Sequence, residues 1–356
     1  MEIPSGLIAD ALGRRRILIA SFLVYIVSFI GFSFSNNFLL FAFSMSVFAF
    51  ADAFRTGVHK AMIFQYLELN NWQAYKVDYY GNTRSWSQSG SAISAALAAI
   101  IVYISGNYQL IFMAAIIPYL LDAIIIWSYP KYLDGKKKSF NTKSIITEFK
   151  EVGLSFKKSF SSFKIFRVLL NLTLYSGYYK SVKDYIQPII KVMALAAPIF
   201  AWMTDERKTA VLIGVFYFIT YFLTAIASKH SGEFNKLFKR ASKPMNLTIL
   251  IGLLIGLLIG VFFIYGLFLA SVVGFVIIMI IENLRKPIGI ALIVEESENK
   301  AMASVLSVES QVKSIIAAIL APTIGLLADI YNPGIALIVI SFSLLLMWGV
   351  YKLKSE

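Results

Sequence analysis

Apolar runs of about twenty residues recur along almost the whole 356-residue chain, and no other feature constrains its fold as tightly. A helix of about 20 mostly apolar residues crosses the hydrocarbon core of a bilayer. Inside lipid every backbone polar group needs an internal partner, which leaves helices or closed barrels as spanning structures. The runs here are continuous rather than alternating, so they predict helices. Composition agrees: 58% of residues are hydrophobic and 15% charged. Soluble chains average about 45–50% apolar and about 25% charged. Length alone suggests about two soluble domains, but apolar sequence spread along the whole chain overrules that division.

Ten spans are predicted: 17–34, 38–66, 80–104, 108–129, 165–193, 209–228, 245–267, 268–294, 301–327 and 333–351. Breaks fall at Ser35-Asn36-Asn37, at Ser105-Gly106-Asn107 and at Pro130, all turn-forming residues. Between the fourth and fifth spans lies a polar, basic stretch, with Lys136, Lys137 and Lys138 near its start. Its later part, 144–163, mixes lysines with apolar residues and suits an amphipathic helix on the membrane surface. The chain therefore divides into an N-terminal half (1–129), a basic linker (130–164) and a C-terminal half (165–356).

The formal net charge of +13 admits two explanations, nucleic acid or membrane topology. Position decides. With Arg14-Arg15-Arg16 placed inside the cell, the loops around Asn36, Gly106 and Asn332 fall outside, and none carries Lys or Arg. The linker, the 229–243 loop and the tail fall inside with their lysines, while Lys191, Arg207 and Lys208 are the exception. This is the positive-inside bias of a protein in the cell membrane, so a nucleic-acid partner is not expected. The expected partners are lipid and a small-molecule substrate, with the chain a monomer.

Chemistry is limited by what is missing. There are no cysteines and two histidines, which excludes thiolate metal sites and cysteine nucleophiles. No nucleotide-binding loop, metal cluster or catalytic triad is legible, so neither an enzyme nor a cofactor is expected.

Charges inside spans are costly, at least about 2.5–3.5 kcal/mol at mid-helix, and are functional candidates by default. Asp52, Arg55 and His59 share one helix face. Glu282 and Arg285 repeat the spacing in the C-terminal half, and each run has an alanine six residues on, Ala61 and Ala291. In the following spans Ser87-Gln88 matches Ser310-Gln311. Such paired positions mark a transporter built from repeats. Two readings stay open for each acid–base pair, substrate binding or proton coupling on one side and a self-neutralised bridge on the other. Glu309 is a further coupling candidate, with Lys313 as its nearest partner by spacing, and Asp122 reads as structural. Lys60 and Lys286 are expected to reach the cytoplasmic surface. The fifth predicted span is the most polar, and Asn171, Tyr175, Tyr178 and Lys183 are expected to line a cavity.

The most specific local run is Gly6-Leu7-Ile8-Ala9-Asp10-Ala11-Leu12-Gly13-Arg14-Arg15-Arg16, a tight basic turn between spans. It resembles the signature loop of the major facilitator superfamily, with Gly6, Asp10, Gly13 and the arginines in register and Ala11 in place of the usual basic residue. The resemblance implies an all-α bundle of two six-helix halves, a secondary transporter working by alternating access, and a gating role for Gly6, Asp10, Gly13, Arg14 and Arg15. It also implies that the first helix and most of the second precede residue 1. A non-transporting relative, truncated or degenerate, is the competing expectation.

Overall fold

The computed structural model describes residues 8–9, 12–134, 163–196, 203–295 and 302–354. All the regular structure among them is helical. Helix α1 spans Arg14–Ser33, α2 Phe38–Leu69, α3 Lys76–Ser105 and α4 Gln109–Ser128. Then follow α5 (Phe163–Val182), α6 (Ile186–Ala196), α7 (Asp205–Lys229), α8 (Ser231–Lys236), α9 (Ser242–Ile264) and α10 (Phe268–Glu295). The chain ends with α11 (Met302–Ile330), α12 (Pro333–Leu346) and the single turn α13 (Trp348–Tyr351).

Eight of the described helices are long and apolar enough to cross a membrane: α1, α2, α3, α4, α7, α9, α10 and α11. The ten predicted spans correspond to these eight together with α5 and α12. Helix α5 is more polar, and α12 covers 14 residues before a break at Met347. Predicted stops coincide with helix caps. The Asn37 side chain accepts from the Leu40 amide at 2.8 Å, and Asn332 does the same for Ile335 at 2.9 Å, ahead of Pro333 at the first helical position. The linker and its predicted surface helix lie outside the described residues.

The chain separates into two compact units, the first 1–76, 104–162 and 297–311, the second 77–103, 163–296 and 312–356. In the first unit α1 packs on α2 and α4. Ser44 of α2 lies against Gly31, where a Cβ would overlap it. Small residues let helices approach this closely in lipid, where packing rather than hydrophobicity drives association. Tyr25, Phe29, Phe48 and Tyr119 form the aromatic centre, with ring centroids 4.8–6.3 Å apart.

The second unit is organised around α9, which packs on α10 and α12. Its Gly252, Gly256 and Gly260 present one smooth stripe. The first two receive the rings of Tyr175 and Tyr178, and the third lies against the backbone of Gly334. The alanine-rich part of α3 packs likewise, with Ala95 and Ala99 against Gly214 of α7.

Candidate functional site

Gly13 caps α1 with φ +101°, a conformation that favours glycine. Arg14 donates to Gln65 of α2, and Arg15 donates to the Tyr129 carbonyl at 2.8 Å. The basic turn is thus tied to the ends of two other helices of its unit. Gly6 and Asp10 lie outside the described residues.

The first unit gathers one polar cluster inside apolar helices. The Tyr25 hydroxyl donates to Asp52 Oδ1 at 2.6 Å, and Arg55 Nη2 donates to the same oxygen at 3.4 Å. The Arg55 guanidinium sits 5.6 Å from the centre of the Tyr25 ring. The Tyr119 ring lies tilted against that of Tyr25, their centres 5.0 Å apart, and Asp122 follows one turn later on α4. The Asp52 and Arg55 side chains are each 44% exposed, and His59, one turn on, is exposed as well. Sequence reading found Asp52, Arg55 and His59 but missed Tyr25 and Tyr119. The available signal was a hydroxyl within an otherwise apolar run.

Lys60 behaves differently from the expectation that it reaches the surface. It is buried, and its ammonium donates to Glu309 Oε2 at 2.8 Å within the same unit. The physical reason is a partner: a carboxylate 249 residues away offsets the desolvation that would otherwise drive the lysine outward.

In the second unit Glu282 and Arg285 do not bond one another. Glu282 Oε1 accepts from the Ser176 hydroxyl at 2.7 Å and lies 3.9 Å from Lys286. Lys286 therefore stays near the carboxylate, with its side chain only 13% exposed, instead of reaching the surface. Arg285 Nη2 donates to the Asn171 side-chain oxygen at 2.6 Å and to its carbonyl at 3.0 Å. Its guanidinium also lies 4.7 Å from the Tyr175 ring centre. Both residues are buried, yet Glu282 Oε2 and Arg285 Nε and Nη1 have no hydrogen-bond partner. Next to them Gln88 of α3 donates to Asn283.

The residues expected to line a cavity are closed off instead. Asn171, Tyr175 and Tyr178 are fully buried in the core of the second unit. The glycine stripe of α9 explains it, because the missing side chains leave room for the rings and polar tips find bonds inside. The Tyr175 hydroxyl donates to the Ile278 carbonyl at 3.3 Å, and the Tyr178 hydroxyl pairs with Ser341 at 2.8 Å. Asn171 also donates to the Tyr351 carbonyl at 3.1 Å. Lys183 stays partly exposed, 3.8 Å from Asp184.

Among the described residues no group of histidines and acids is placed to hold a metal ion. What the arrangement defines is a multi-pass α-helical membrane protein with charged clusters built into its spanning helices. The chain belongs to the Major Facilitator Superfamily, whose family model matches residues 1–322, and with it to a class of membrane transporters. Solved structures show the same fold. A POT family transporter in complex with a thioalcohol-conjugated peptide superposes with a TM-score of 0.64 at 16% identity, over 98% of this chain and 84% of that one. Another, in complex with 5-aminolevulinic acid, gives 0.62 at 16% identity, over 97% and 84%. Comparison with curated proteins finds no match.

Proposed function

We propose that the protein is a secondary active transporter of the cytoplasmic membrane, moving a small solute by alternating access with proton or ion coupling. Residues 1–129 and 165–356 are its repeated halves, and the chain works as a monomer. One observation carries the reading: Asp52 and Arg55 keep 44% of their side chains exposed on a helix apolar enough to cross a membrane. A charge held in hydrocarbon costs several kcal/mol, so exposed charges on spanning helices belong to a water-filled path. Arg55 then offers its guanidinium to an anionic group of the solute. Asp52, already accepting from Tyr25, receives a cationic group or a proton. Glu282, Arg285 and Glu309, all buried, act in coupling rather than first contact.

The fold's solved neighbours hold a peptide conjugate and an amino acid. Small solutes bearing both an amine and a carboxylate are therefore the first panel to test. Purified protein in proteoliposomes, with an imposed proton or sodium gradient, should accumulate at least one such solute above empty vesicles. Asp52→Asn and Arg55→Ala should each abolish most of that uptake. Equal accumulation by both variants would remove the site assignment, and no accumulation under any gradient would remove the transport reading.

A further inference from the structure

The second unit carries a basic pocket that the transport reading does not use. It is a cavity of about 570 Å³ between the start of α9 and the C-terminal segment, lined by Lys243, Lys352 and Lys354. Among the described residues no carboxylate lines it. Among the described residues none of the three lysine ammonium groups has a hydrogen bond or an ion pair. The tail lysines are exposed, but the backbone between them is anchored. Asn246 Nδ2 donates to the Leu353 carbonyl at 2.8 Å, and its Oδ1 accepts from the Leu353 amide at 2.9 Å. Leu353 itself is buried, as is Tyr351. This clamp fixes Lys352 and Lys354 beside Lys243, and holding three like charges together calls for an anion.

The rest of the lining says which kind. Leu247 and Leu250 continue the pocket along α9, and the half-buried Trp348 indole borders it. Indoles of this kind belong at headgroup level. A cationic end, an interfacial indole and an apolar flank on a spanning helix match an amphiphile with a phosphate at one end. On the positive-inside reading the pocket opens to the cytoplasmic leaflet, where anionic lipids attract basic segments. We infer that this pocket binds an anionic phospholipid through its phosphate, with the acyl chain along Leu247 and Leu250.

The test uses full-length protein in nanodiscs, with competition between phosphatidylglycerol and phosphatidylcholine for bound lipid read by native mass spectrometry. Phosphatidylglycerol should be retained preferentially. Lys243→Gln, Lys352→Gln and Lys354→Gln together should reduce that preference by on the order of fivefold per lysine. The triple Arg variant should restore it. Removing three charges outside the pocket, Lys229→Gln, Lys239→Gln and Arg240→Gln, should leave it nearly intact. An equal loss in both charge-removal variants would overturn the site in favour of bulk charge. Displacement of the lipid by glycerol phosphate at matched concentration would overturn the lipid assignment in favour of a soluble phosphate. Lack of preference in the unaltered protein would overturn both.

Discussion

The Arg285 guanidinium is held by Asn171, on a helix 114 residues away, and not by Glu282 three residues before it on its own helix. Asn171 in turn donates to the Tyr351 carbonyl, so one amide links α10 to the C-terminal turn. Asn171→Ala should destabilise the protein by about 1–3 kcal/mol, the cost of leaving a buried charged donor without its acceptor. Equilibrium unfolding in mixed SDS micelles would measure it. Arg285→Lys should not be a mild change, because a lysine cannot keep both bonds to Asn171 and the contact with the Tyr175 ring. Wild-type stability in either variant would mean the network holds nothing.

Lys60 and Glu309 give a second test. Glu309→Gln removes one charge of a buried pair and should cost about 3–5 kcal/mol, whereas Lys60→Met with Glu309→Leu should recover much of that loss. The same unfolding assay reads both. A single variant as stable as the wild type would show that the pair is open to water.

The α9 stripe predicts a size limit. Gly252→Ala places a Cβ into the Tyr175 ring and Gly256→Ala one into the Tyr178 hydroxyl, and each should cost about 1–3 kcal/mol. Gly90→Ala is the control, since nothing lies within 4 Å of its added Cβ. Equal stability of all three would contradict the close packing described for the second unit.

These networks also show where the sequence stopped being informative. Helix starts were legible because Asn37 and Asn332 are local signals that act within three residues. Buried charges were legible because their type clashes with the apolar runs that carry them. Partners were not, since Lys60 and Glu309 lie 249 residues apart and Arg285 and Asn171 114 apart. Spacing along one helix pointed to Glu282 for Arg285 and to Lys313 for Glu309, and could not see across helices. Asn171, Tyr175 and Tyr178, expected along a cavity, are buried in the core of the second unit for a reason that was readable. Gly252, Gly256 and Gly260 recur every four residues, a packing signal, and a stripe of that kind draws facing aromatic rings into the core.

Arg55 should matter to binding more than to folding, because its side chain is half-exposed. Arg55→Ala should weaken solute binding about tenfold or more, the worth of a charged hydrogen bond of about 1.5–3 kcal/mol, while leaving unfolding nearly unchanged. Solute binding by calorimetry, beside the unfolding assay, separates the two. A large stability loss with intact binding would make Arg55 structural.

The central claim is that the Asp52–Arg55–His59 face meets water within the membrane. The chain has no cysteine, so His59→Cys provides a single reporter thiol, with Ser271→Cys as the buried reference. Membrane-impermeant thiol reagents applied to either side of oriented vesicles should label position 59, with the accessible side changing when the gradient or solute is applied, and should spare position 271. A thiol at position 59 that stays unreactive from both sides under every condition would place that face in lipid and contradict the account.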